Sequence, residues 1–164
     1  MNKLTADEII EMLGLGPMEV EGGMMRSTYR TRDMVGEKNM GSAIYFLLSG
    51  RAYSHMHRLP TDEVYHFYLG DPVEMLQLAP DGTGKRVLLG HDLAAGQVPQ
   101  YVMPAGCWQG SRLADGGDYA LMGTTMSPGF APSDYEHGDA DTLKREYPGF
   151  AGMIEKLTGE TINR

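Results

Sequence analysis

The fold is marked most clearly by residues 54–70, which read Ser-His-Met-His-Arg-Leu-Pro-Thr-Asp-Glu-Val-Tyr-His-Phe-Tyr-Leu-Gly. His55 and His57 stand two positions apart at the end of a predicted strand, so their side chains should point to one face. Pro60 interrupts the strand, and a second predicted strand starts at Glu63. If the two strands pair as a hairpin, Glu63 comes beside the histidines. Such a group suits a divalent metal (Fe, Mn, Ni or Zn), or acid–base catalysis without a metal.

Short predicted strands surround this stretch, each rich in aromatic and β-branched residues and bounded by Gly, Pro or Asp. They span residues 25–31, 43–48, 53–57, 63–69, 73–78, 85–89, 100–103, 107–111 and 119–125. Strands of this length and spacing are typical of a β-sandwich or barrel. Short helices are expected over residues 5–15, 141–147 and 150–157, and Thr5 and Glu8 have the spacing of a capping box at the start of the first.

The composition excludes several classes of function. The chain has 164 residues, with 14 Lys and Arg against 22 Asp and Glu, which gives a formal charge of −8. This balance argues against partners such as nucleic acid or an anionic membrane surface. A single cysteine, Cys107, cannot form an intramolecular disulfide, which fits a reducing compartment. With no signal-peptide pattern and no apolar run of about 18 residues, we expect a cytoplasmic protein with one domain over residues 1–164 and a barrel core over about 24–130.

The spacing of residues 50–70 resembles the first sequence motif of the cupin superfamily, in which a glycine is followed by His-x-His, a glutamate and a second glycine. The elements are supplied here by Gly50, His55, His57, Glu63 and Gly70, with the glutamate one residue late. The second cupin motif, Pro-x-Gly-x-x-His, matches residues 104–109, with Gln109 where a metal-binding histidine would stand. An amide is a weak ligand for transition metals, so this difference leaves the metal in question.

A closer resemblance is to Cupin_5, a branch of small single-domain cupins, and it covers residues 4 to about 148. The matching segments are Glu21-Gly22-Gly23 and residues 26–30, 44–48, 54–58, 62–68, 70–72, 104–109 and 128–130. The resemblance implies an all-β double-stranded β-helix, the cupin jelly-roll barrel, with a short N-terminal helix and short C-terminal helices. It also implies a homodimer formed through edge strands.

Three functions remain open, because a fold does not fix an activity. The branch is similar to sugar epimerases, which use a barrel-interior histidine as base without a metal, and to seed-storage cupins, which have no catalysis. We therefore expect the protein to bind a small polar, sugar-like or carboxylated molecule in its barrel and to act on it as an isomerase or epimerase. The alternatives are a small-molecule-binding cupin without turnover and a metal-dependent cupin enzyme.

Each alternative assigns its own residues. For isomerase chemistry His57 is the base, Glu63 orients or relays the proton, Tyr65 or Tyr29 is the acid, and Arg26 holds an anionic group. The wider set of ligand-binding candidates comprises Arg26, Tyr29, Gln100, Gln109 and Phe67. The metal alternative uses His55, His57, Glu63 and Gln109. Strand alternation places Glu63, Tyr65 and Phe67 on one face, and it turns His66 to the other.

Overall fold

The computed structural model describes residues 4–164, and two antiparallel β-sheets that face each other form its centre. The strands in chain order are β1 (Gly16–Pro17), β2 (Met24–Arg30), β3 (Met34–Val35), β4 (Lys38–Asn39), β5 (Ser42–Ser49), β6 (Tyr53–Arg58), β7 (Glu63–Gly70), β8 (Val73–Leu78), β9 (Gly84–Leu89), β10 (Gln100–Met103), β11 (Trp108–Leu113), β12 (Tyr119–Met126) and β13 (Glu136–His137). The helices are α1 (Ala6–Leu13), α2 (Ala140–Glu146) and α3 (Ala151–Lys156). This architecture confirms the predicted all-β jelly-roll with short terminal helices.

The two sheets have the strand orders β1-β2-β5-β12-β7-β10 and β13-β6-β11-β8-β9, and β3 pairs with β4 in a separate hairpin. Their inner faces enclose the main core, in which Phe46 and Met122 of the first sheet meet Met75 and Leu113 of the second. Cys107 is buried in the same core. Inward positions alternate with outward ones along each strand, as a half-buried sheet requires.

Helices cover the outer faces of both sheets. The N-cap Thr5 and Glu8 form the predicted capping box of α1, and Ile9 and Ile10 of this helix pack with Leu47 on the outside of the first sheet. The C-terminal helices α2 and α3 pack through further buried side chains, such as Leu143, on the outside of the second sheet. None of the helices within residues 4–164 has the length and apolar character that a membrane crossing requires.

The structure corrects one expectation about residues 54–70. Strands β6 and β7 do not pair as a hairpin, because they belong to different sheets: β6 pairs with β11 and β13, whereas β7 pairs with β12 and β10. The connection around Pro60 therefore crosses from one sheet to the other. Glu63 and the histidines lie in opposite walls of the barrel instead of on neighbouring strands.

Candidate functional site

A cavity of about 460 Å³ lies at the end of the barrel where β5 and β7 begin and where β2 and β12 end. Its volume is in the range of small-molecule sites. The walls are mainly apolar and include Met18, Met25, Ile44, Leu59, Met126 and Phe130. The polar side chains that line it include Glu21, Glu63, Thr124 and Tyr135, with Arg30 exposed at the mouth. Apolar walls with a few convergent polar groups are typical of a ligand-binding site.

Glu63 is the most deeply buried acid of this cavity, with only 7% of the residue exposed. The amide of Gln109 donates from Nε2 to Glu63 Oε2 at 2.9 Å, and Gln109 Oε1 accepts a hydrogen bond from the Tyr65 hydroxyl at 2.9 Å. Gln109 and Tyr65 are themselves buried. Three inward side chains from two sheets thus form one chain of hydrogen bonds that fixes the position of the carboxyl group.

Burial raises the pKa of Glu63 above its ordinary value, and the negative charge of Glu21 raises it further. The charge of His57 and hydrogen bonds from Thr124 and Gln109 act in the opposite direction, but with smaller effect. The pKa of Tyr65 is also raised, first by burial and then by the charge of Glu63. The environment therefore shifts the equilibrium of the Glu63 carboxyl group towards its protonated, neutral form.

Glu21 supplies the second carboxyl group of the cavity. It comes from the loop before β2, and its Oε1 accepts a hydrogen bond from Ser54 Oγ at 2.5 Å. Its backbone oxygen accepts from the His55 amide at 2.8 Å, which ties the loop to β6.

On β11, Ser111 Oγ is the one buried side-chain polar atom of residues 4–164 that has no hydrogen-bond partner. Ser111 pairs in register with Ser54.

His57 is fully buried behind the cavity wall and not among the residues that line it. Its Nδ1 lies 2.7 Å from the backbone oxygen of His55, so this nitrogen carries the proton and donates. The ring stacks on Tyr135 with centroids 5.1 Å apart. His57 therefore supports Tyr135, which does line the cavity, and burial raises the pKa of the Tyr135 hydroxyl.

His55 is committed to contacts outside the cavity. Its Nδ1 lies 2.9 Å from the Met56 backbone oxygen, and its Nε2 accepts from the Gly159 amide at 3.3 Å. The ring stacks on His137 with centroids 3.8 Å apart. Burial lowers the pKa of His55, and the charges of His137 and His57 lower it further, whereas the hydrogen bond to Met56 raises it.

The predicted metal ligands do not form a metal site in this structure. Both ring nitrogens of His55 are engaged with the backbone, and the Gln109 amide is engaged with Tyr65 and Glu63. Within the described part of the chain, no three His, Cys, Asp or Glu side chains converge where they could hold an ion. A divalent metal needs such convergence, so these residues do not fit one.

A β-bulge in β2 brings Arg30 to the cavity. The pairing with β5 shifts between Ser27 and Tyr29, so Ser27 and Arg30 both line the cavity. Arg26 points to the opposite face, where its guanidinium lies 5.6 Å from the centre of the Tyr45 ring. Tyr29 is 61% exposed and is absent from the cavity wall. Neither Arg26 nor Tyr29 is thus brought to the site, and Arg30 takes the place expected for Arg26.

Two further ligand-binding candidates also lie elsewhere. Gln100 is exposed on the outer face, where its amide meets His66 Nδ1 at 3.2 Å. His66 in turn contacts the Thr125 hydroxyl at 2.9 Å, in agreement with its expected outward direction. Phe67 points inward as predicted but packs in the core and against His91 with centroids 4.9 Å apart.

The cavity also contains residues that were not predicted from the sequence, among them Glu21, Arg30, Thr124 and Tyr135. Glu21 and Arg30 stand in segments that carry the family resemblance, and this was the available signal. Nothing in the sequence around Tyr135 indicates that residues 130–137 return to the barrel and pair with β6.

Comparisons with known proteins agree with this architecture. A family model described as Cupin superfamily (DUF985) matches residues 7–138. Among solved structures, the chain is similar to a crystal structure of a Shewanella oneidensis protein, with 36% identity, a TM-score of 0.90, and coverage of 96% of this chain and 99% of that one. A hypothetical protein from Leishmania major shows 30% identity and a TM-score of 0.88, with coverage of 96% and 100%.

More distant similarity extends to an enzyme. Bacillus subtilis oxalate decarboxylase matches with 12% identity and a TM-score of 0.58 over 92% of this chain and 40% of that chain. At this identity the likeness shows the fold alone. No match is found among curated proteins. The family match spans most of the chain and agrees with the barrel described above, so the chain belongs to the cupin superfamily, in the family DUF985.

Proposed function

We propose that this protein binds a small organic molecule in the cavity of its barrel. The observation that carries the proposal is the Glu63 carboxyl group, which is buried, held by Gln109 and opens onto a cavity with mainly apolar walls. A buried acid in a cleft is costly unless it is hydrogen-bonded, and it is a frequent mark of a functional site. The ligand combines an apolar body with polar groups that reach Glu63 and Glu21.

The experiment is a thermal-shift screen of small organic molecules that combine an apolar body with polar groups, in which alcohols, amines, sugars and organic acids are all represented. A ligand at 100 times its Kd stabilises the folded state by about 2.7 kcal/mol, which gives a measurable rise in Tm. Ser27→Trp fills the cavity from β2 and should abolish the rise. Arg26→Trp, one residue earlier on the opposite face, is the matched control and should keep it. A rise in Tm that persists in Ser27→Trp would contradict binding in this cavity.

Proton-transfer chemistry, as in an isomerase or epimerase, is the second candidate function. It is supported by the different environments of the two carboxyl groups: Glu63 is buried and favours the protonated form, whereas Glu21 is partly exposed. Such a difference is the usual way to assign an acid and a base. Glu63 would be the acid and Glu21 the base, with His57 and Tyr65 as positioning residues.

Isotope exchange distinguishes this enzyme from a binding protein without turnover. A ligand found in the screen is incubated with the protein in D2O, and its carbon-bound protons are followed by NMR. Exchange that is lost in both Glu63→Gln and Glu21→Gln supports proton transfer. A bound ligand that keeps all its carbon-bound protons identifies the protein as a binding module.

A further inference from the structure

The cavity carries more acidic than basic side chains. Glu21 and Glu63 line its interior and Glu19 stands exposed at the rim. Of the described residues that line the cavity, Arg30 is the single Lys or Arg, and its Nη1 donates to the backbone oxygen of Phe130 at 2.8 Å. Arg30 lies at the exposed mouth, so the inner carboxyl groups have no basic side chain beside them on the cavity wall.

The negative charge of Glu21 raises the pKa of several buried groups around it. It raises the pKa of Glu63, of Tyr65 and of Tyr135. Glu63 and Tyr65 come from β7 and Tyr135 comes from the segment before β13. Glu63 and Tyr135 line the cavity, and Tyr65 is joined to Glu63 through Gln109. The charge of His57 opposes this effect at Glu63 but is the smaller influence there. The inner end of the cavity is therefore a region of negative potential enclosed by apolar walls, in which electrostatic interactions are strong.

We propose that the ligand of this cavity carries an amine whose ammonium group binds between Glu21 and Glu63. This inference rests on the proposed function and adds the chemical class of the ligand. An ammonium group offers three hydrogen-bond donors and the positive charge that the inner end lacks. The apolar body of the ligand lies against Met25 and Ile44, and the aromatic ring of Tyr135 adds to the attraction for a cation.

Binding of the ammonium group is coupled to the protonation of Glu63. In the free protein the environment favours a protonated Glu63, and a cation beside it favours the carboxylate. In each molecule that holds this proton, the O–H bond of Glu63 breaks as the complex forms, the proton passes to the buffer, and the amine keeps all its own protons. The complex gains an ion pair, and net proton release accompanies binding.

The test uses three probes that share a benzyl group: 2-phenylethylamine, 2-phenylethanol and phenylacetate. Isothermal titration calorimetry at pH 7 should show at least tenfold tighter binding of the amine than of the alcohol, with phenylacetate the weakest. Titrations of the amine in buffers with different ionisation enthalpies should show release of up to one proton. Glu63→Gln should abolish the release and weaken the preference for the amine, because Glu21 is then the only carboxylate beside the ammonium group.

Variants of Glu21 test the origin of the preference. Glu21→Gln should reduce the preference for the amine over the alcohol to less than threefold. Glu11→Gln, an equal change of net charge on the exposed side of α1, is the matched control and should keep it. Ser54→Ala removes the hydrogen bond to Glu21 but leaves its charge, and should also keep the preference. Thermal unfolding confirms that each variant is folded.

The outcomes separate this inference from the proposed function. Equal affinities of the wild-type protein for the amine and the alcohol, or tighter binding of phenylacetate, overturn the inference and leave binding in the cavity intact. A preference for the amine that survives in Glu21→Gln also overturns it. If none of the three probes binds at millimolar concentration, the inference fails, and the thermal-shift screen decides the binding proposal by itself.

Discussion

Replacement of Glu63 by glutamine should make the protein more stable, and increasingly so as the pH rises. Burial and the charge of Glu21 raise the pKa of Glu63 in the folded protein above the ordinary value of 4.5. The folded state therefore holds a proton that the unfolded state releases above this pH. The stability that this carboxyl group contributes is complete below pH 4.5 and is lost as the pH rises towards its folded pKa. Each pH unit in this window costs about 1.4 kcal/mol of unfolding free energy.

Glutamine is a close structural match, because its side-chain oxygen still accepts the hydrogen bond that Gln109 donates to Glu63. The assay is urea unfolding of both proteins between pH 5 and pH 8. The free energy of unfolding of the variant, relative to the wild type, should grow by about 1.4 kcal/mol per pH unit until Glu63 ionises. Glu21→Gln, which removes the neighbouring charge, should end this growth at a lower pH. Parallel pH profiles of wild type and Glu63→Gln would refute the reasoning.

Three further predictions concern the fold. Leu143→Ala, in the fully buried contact of α2 with the second sheet, should cost about 2–5 kcal/mol in urea unfolding. A loss below about 1 kcal/mol would contradict the tight packing of this side chain against the sheet. Gly23→Ala should lower Tm markedly, because the φ of Gly23 is +76° and an added Cβ would lie 2.9 Å from the backbone oxygen of Leu47. Gly36→Ala is the control and should lower Tm less, because Gly36 has a φ of +62° but open space around the added Cβ. Equal shifts in Tm would exclude the close contact as the cause. The pKa of His55 is lowered in the folded protein, so the stability that His55 contributes is present above about pH 6.5 and is lost as the pH falls. The free energy of unfolding of His55→Phe should therefore depend less on pH between 7 and 5 than that of the wild type. An identical pH dependence of the two proteins would contradict this.

Most secondary-structure elements could be predicted from the sequence because the turns are well marked. Gly, Pro and Asp bound nearly every strand, and the bounds of β8 and β10 agree with the prediction to the residue. The short strands β1, β3, β4 and β13 were missed. Each has only two residues, which is too short for an alternating pattern to be recognised.

The candidate site was harder to predict because it depends on contacts between distant segments. Alternation along β7 correctly turned Glu63 and Tyr65 inward, and the inward Gln109 of β11 meets both. The pairing of β6 with β7 was wrong because a turn at Pro60 fits a hairpin and a crossing between sheets equally well. The cavity residues Glu21 and Tyr135 come from irregular segments, whose course depends on tertiary packing and leaves no periodic signal.

The bulge in β2 makes the chemistry of the cavity depend on strand register as well as on residue identity. One extra residue, Thr28, separates the pairs that Ser27 and Tyr29 make with β5. Removal of this residue would leave Tyr29 opposite Ala43 and Arg30 opposite Ser42, so Arg30 would keep its place at the cavity mouth. A relative with the same number of residues that pairs without the bulge would instead bring Tyr29 opposite Ser42 and turn Arg30 to the outer face. For this strand, the pairing register is as informative about the charge at the cavity mouth as the residue identities are.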